Sequence, residues 1–183
     1  MMKITLKFIL FCVFVSPVHA KNKKNWEQLS EIRTVAALDS FKKTCNKVNA
    51  IPFESNQDAT KVLKDIAKSG GIFTVRALIF AESNCTDGAD RELLVGVLGN
   101  EMLISHAAQL IKALFLEKKW KELATLPEQE NEEWFAVDCN NPKCKADRKA
   151  YYQQKRSALT RASIDKKEEV VRSALLNALK SDL

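Results

Sequence analysis

The chain has 183 residues, 46% hydrophobic and 28% charged, with a formal net charge of +6 at neutral pH. That length suits one domain with a core of its own, and no stretch after residue 20 approaches the ~20 consecutive apolar residues that a membrane span needs. Five glycines, four prolines and almost no β-branched alternation exclude a sheet protein. Apolar residues recur instead at three and four, which predicts an all-α fold.

Residues 1–20 have the form of an export signal. Lys3 and Lys7 supply a positive start, Phe8 to Val15 an apolar run, and Val18-His19-Ala20 a small-residue cleavage site. Cleavage after Ala20 is expected to place the chain in the periplasm or outside the cell, with 21–183 as a single helical domain and no membrane-spanning segment. In that oxidising setting Cys45, Cys85, Cys139 and Cys144 are expected to form two disulfides. Cys139–Cys144 and Cys45–Cys85 are the favoured pairs among three pairings. Zinc is not expected, because the four sulfurs lack ligand spacing and His106 is distant.

In chain order, Trp26, Leu29, Ile32, Val35, Leu38, Phe41 and Cys45 predict one face of a long first helix, broken at Pro52. Ala59, Val62, Leu63, Ile66 and Ala67 predict a second helix, stopped at Gly70-Gly71. A third, about Thr74 to Ser83, is apolar almost all round and should lie buried between neighbours. A fourth carries Leu93, Leu94, Val97, Leu98, Met102 and Leu103. Ser105 is the expected cap of a fifth helix running through Trp120. Beyond the Pro127 break and the Cys139–Cys144 turn, two more helices are expected, about Lys145 to Ser163 and Asp165 to Ser181.

Residues 58–83 and 90–115 are faintly self-similar at an offset of 32: Val62 falls on Leu94, Ile66 on Leu98, Leu78 on Leu110, and Ile79 on Ile111. Stacked helical hairpins have this grammar, and an irregular helical bundle has nearly the same one. The stretch "LKDIAKSGGIFTVRALIFAESNCTDGADRELLVGVLG" resembles the helical hairpins of HEAT-like repeat proteins of the small exported bacterial type, over residues 55–120. The resemblance implies a scaffold that binds proteins and carries over no functional residue. The remaining segment, 139–183, departs from it as a Cys-linked pair of basic helices.

No cofactor or metal is expected. With Gly88 as the sixth position of a calcium loop, Cys85 and Leu94 stand where oxygen ligands are needed, so "ESNCTDGADRE" is a helix-starting turn. His106 lacks a nucleophile motif, and Glu128, Glu130, Glu132 and Glu133 form a solvated acidic loop, so an enzyme is not expected.

Function is expected in the charge pattern. Residues 82–133 sum to −6 and residues 143–183 to +6. Arg148, Tyr152, Lys155 and Arg156 share one helical face and are the expected binding residues. The main expectation is an exported, non-enzymatic scaffold that holds a protein partner, in the manner of an immunity or inhibitor protein of the bacterial envelope. The alternative is electrostatic binding of anionic envelope polymers or a membrane surface through 143–161, with nucleic acid the least favoured partner.

Overall fold

The computed structural model describes residues 29, 31–45, 57–69, 71–86, 88–128 and 142–179. The expected export segment 1–20, Cys139 and the acidic residues Glu130, Glu132 and Glu133 lie outside them. The described secondary structure is helical, without strands: α1 (Val35–Thr44), α2 (Gln57–Ser69), α3 (Ile72–Asn84), α4 (Gly88–Val97), α5 (Ala107–Leu116), α6 (Pro142–Arg161) and α7 (Glu169–Ala178). A π-helical turn, Leu98–Met102, extends α4. Short 3-10 turns cover Leu126–Glu128 and Lys166–Glu168.

The apolar α3 is central, as its all-round hydrophobicity requires. It packs against α1, α4 and α5, and Val75, Leu78, Ile79 and Ala81 are all buried. One continuous core runs from Leu38 on α1 through Leu63, Leu94 and Leu110 to Leu159 on α6 and Leu175 on α7. Ile66, Leu78, Ile79, Leu94, Leu98, Leu110 and Ile111 of the offset pairs lie within this core. The two units nevertheless differ: Ile66 sits in a regular helix, and its counterpart Leu98 sits in the π-turn.

The Cys45–Cys85 disulfide is present, with Cα atoms 5.3 Å apart, and links the end of α1 to the end of α3. Cys144 is also disulfide-bonded, and its expected partner Cys139 is not among the described residues. A second tie joins the same region. The Glu117 carboxylate, just beyond α5, meets Lys42 Nζ of α1 at 2.5 Å and Arg76 Nε of α3 at 2.6 Å. Lys42 also lies 5.1 Å from the centre of the Phe80 ring.

Local chemistry moves several expected boundaries. The long first helix is broken at Ile32–Thr34, where Thr34 Oγ1 accepts from Ala37 N at 3.2 Å and starts α1 afresh. Val35 therefore faces solvent rather than the core, at 55% exposure. The carbonyl of Ile32, left outside a helix, accepts from buried Thr74 Oγ1 at 3.2 Å. Thr34→Ala is expected to destabilise by about 1 kcal/mol in urea denaturation, the usual loss for an N-cap.

At the turn after α3, Thr86 reaches backward rather than forward. Its hydroxyl donates to the carbonyls of Ala81 and Glu82, closing α3, and Gly88 provides the positive φ of 48° that leads into α4. The fifth helix is not capped by Ser105. His106 breaks the backbone there with φ −140°, and its Nε2 donates to the Lys68 carbonyl at the end of α2, 3.0 Å away. That helix also stops at Leu116 instead of running through Trp120, since Lys118 turns the chain with φ 56°.

Candidate interaction face and buried lysine cluster

Helix α6 is the long basic helix that sequence spacing marks out. Arg148, Tyr152, Lys155 and Arg156 do share a face on it, as residues three and four apart must. That face points inward. Tyr152 is 2% exposed and Lys155 is fully buried, so neither belongs to a surface binding face. Arg148 and Arg156 are half-buried. Two of the four expected binding residues, Tyr152 and Lys155, are thus turned into the core.

Each inward residue has a structural use. Arg148 stacks on the Tyr152 ring at 5.9 Å, and the Tyr152 hydroxyl donates to the Glu128 carbonyl at 3.2 Å. Arg156 Nη2 donates to the Leu179 carbonyl at 3.3 Å, where a cation at the end of α7 complements the helix dipole. Its buried Nε has no hydrogen-bond acceptor, so burial of this side chain costs some of what the terminal contact contributes.

Lys155 is the focus of the cluster. Nζ donates to Asn100 Oδ1 of the π-turn at 2.7 Å and to the Pro127 carbonyl of the following 3-10 turn at 3.1 Å. The Tyr151 ring centre is 4.6 Å away and that of Tyr152 is 5.7 Å away. The two rings meet edge to face, their centres 6.5 Å apart. Burial in this aromatic setting pushes Lys155 down from its ordinary value to about 7. Burial also pushes Tyr151 up to about 12, with Glu101 and then Tyr152 adding to the shift. An α-helix would not place Asn100 this way: the π-turn inserts extra backbone and re-aims the residues that follow.

The exposed first half of α6 carries different cations. Lys143, Lys145 and Lys149 are exposed, together with Gln153 and Gln154. From Pro142 to Ala150 every side chain is exposed except Cys144 and Arg148. This half of the helix stands clear of the core, while Tyr152, Lys155 and Leu159 anchor the other half.

At the turn between α3 and α4, Glu82 and Asp90 are buried. Glu82, 1% exposed, takes Arg91 Nε at 2.7 Å and the Ser83 hydroxyl at 2.6 Å. Among the described residues no group of three or more His, Cys, Asp or Glu side chains is placed to hold a metal ion. No described helix is long and apolar enough to cross a membrane.

Sequence reasoning did not single out Asn100, Glu117 or the inward orientation of Lys155. Asn100 sits within "LGNEM", where the adjacent weak helix formers Gly99 and Asn100 are the sole local sign of the π-turn. No family model, no curated protein and no solved structure matches this chain.

Proposed function

We propose that this protein is an exported, non-enzymatic helical scaffold that grips an acidic surface of a partner protein with the outward half of α6. The observation that carries this reading is the set of exposed lysines, Lys143, Lys145 and Lys149, around the exposed first half of a helix whose other half is anchored in the core. A helix already formed before contact loses little conformational entropy on binding, and fixed lysines give both attraction and register. The two disulfides fit an oxidising compartment. Within this proposal, residues 55–120 form the helical-hairpin body and 139–183 its basic arm.

A test compares the full chain, disulfides intact, with a K143E/K145E/K149E variant. The three lysines are exposed, so the circular dichroism spectrum should be unchanged. The wild-type chain is expected to retain one discrete partner from its native compartment at moderate salt, with affinity for that partner falling about 10- to 100-fold in the variant. Anionic vesicles and a soluble polyanion serve as the second arm. Equal, salt-sensitive binding of both, with no discrete protein retained, would replace this reading with general adhesion to anionic surfaces.

A further inference from the structure

Helix α6 runs for 20 residues, about 30 Å at the usual rise, and its core contacts fall on the side of Tyr152, Lys155 and Leu159. On the opposite side Ala146, Ala150, Gln153, Ser157 and Thr160 recur at four and three residues, so they form one line along the helix. All are exposed except Ser157, which is half-buried. No residue of this line is charged, and none is large and apolar.

Cations stand on both flanks of the line. Lys143 and Lys149 lie three residues before and after Ala146, about 60° from it in opposite directions around the helix. Lys145, one turn before Lys149, shares its flank. Arg161, about five turns beyond Lys143, returns to the other. All four are exposed, and none is paired with an acid among the described residues. Asp147, beside Lys143, is the one acid of α6.

Resting on the function proposed above, we propose that the partner element held by α6 is an acidic α-helix laid lengthwise on this line. Its carboxylates meet Lys145 and Lys149 on one flank and Lys143 and Arg161 on the other. Small, uncharged contact side chains let two helix axes approach to about 8–10 Å. At that separation the residues beside the contact line of each helix reach across to those of the other, which is how flanking charges select partners in paired helices. A loop meets one flank at a time, whereas a rod of the same width meets both. A lipid surface fits the line poorly. An interfacial helix buries large apolar side chains, and here only alanine methyls stand beside Gln153, Ser157 and Thr160.

The test uses the full, oxidised chain and two synthetic peptides of one composition. The first is an alanine-based helix of about 20 residues, long enough to be helical in water, with glutamates on both flanks of an alanine line. The second has D-residues at alternate central positions and cannot form that helix. The helical peptide should bind about tenfold tighter, since it is ordered before contact. It should also shift the backbone amide NMR signals of Ala146, Ala150 and Gln153, and K145E/K149E and K143E should each weaken it. Equal affinity for the two peptides, binding of neither, or shifts confined to the lysines would overturn the acidic helix. If the native partner were still retained through Lys143, Lys145 and Lys149, the acidic-surface reading would survive that result. Anionic vesicles bound more tightly than the helical peptide would overturn it in favour of lipid. Peptide binding that emerges only in E130Q/E132Q/E133Q would overturn it in favour of the chain's own acidic residues.

Discussion

Replacing Cys45 and Cys85 together by alanine is expected to lower the unfolding free energy by about 4 kcal/mol. The bond closes a loop spanning 40 residues, and the chain-entropy estimate for a loop of that size gives this magnitude. Cys85 is also 3% exposed, so its sulfur fills core volume that alanine leaves empty. For a chain of this size the melting temperature should fall by roughly 8–16 °C. The double variant is a cleaner probe than a reductant, which would also open the bond at Cys144. Equal urea midpoints for variant and wild type would mean that α1 and α3 are held together without the link.

Glu117→Ala is expected to cost about 2–3 kcal/mol. The carboxylate is 8% exposed and meets two cations, Lys42 and Arg76, whose side chains are 23% and 21% exposed. Removing the shared anion leaves both cations partly buried without it, which is the costly way to break such a pair. A carboxylate at the end of α5 opposes the helix dipole by about 0.3–1 kcal/mol, so its value lies in the two cations rather than in the helix. Glu117→Gln keeps an acceptor and loses the charge, and should fall between the two. Urea denaturation of the three chains measures the order, and a Gln variant as unstable as Ala would make the charge the whole effect.

The two effects meet in one place. The disulfide joins the ends of α1 and α3, and Glu117 joins the last turn of α1 and the first half of α3 to the end of α5. Combining Cys45→Ala, Cys85→Ala and Glu117→Ala therefore removes two ties on the same helices, and non-additive losses are the natural result.

Much of the architecture is written locally. Periodicity at three and four marks the helices, the all-round apolar "VRALIFA" places α3 at the centre, and the favoured pair Cys45–Cys85 is the pair that forms. These features depend on neighbours along the chain, or on a single long-range constraint among few cysteines. Thr34 as a cap was legible in the same sense, although the continuous apolar face of residues 26–45 hid it. Val35 faces outward because the helix restarts at that cap.

The orientation of α6 was not written there. Spacing shows that Arg148, Tyr152, Lys155 and Arg156 share a face, but a helix has no local signal for which face turns inward when lysines, alanines and tyrosines surround it. That choice sums over the whole fold. Burying Tyr152 and Leu159 against α5, α7 and the 3-10 turn brings Lys155 inside with them, and Asn100 and the Pro127 carbonyl meet it there. Asn100 is in place because the π-turn re-aims it, and that extra backbone is stabilised by packing rather than by propensity. Sequence alone determined a helical chain and the sulfur link that ties it. Tertiary packing decided that its central lysine is a core residue, because burial energy is shared among elements far apart along the chain.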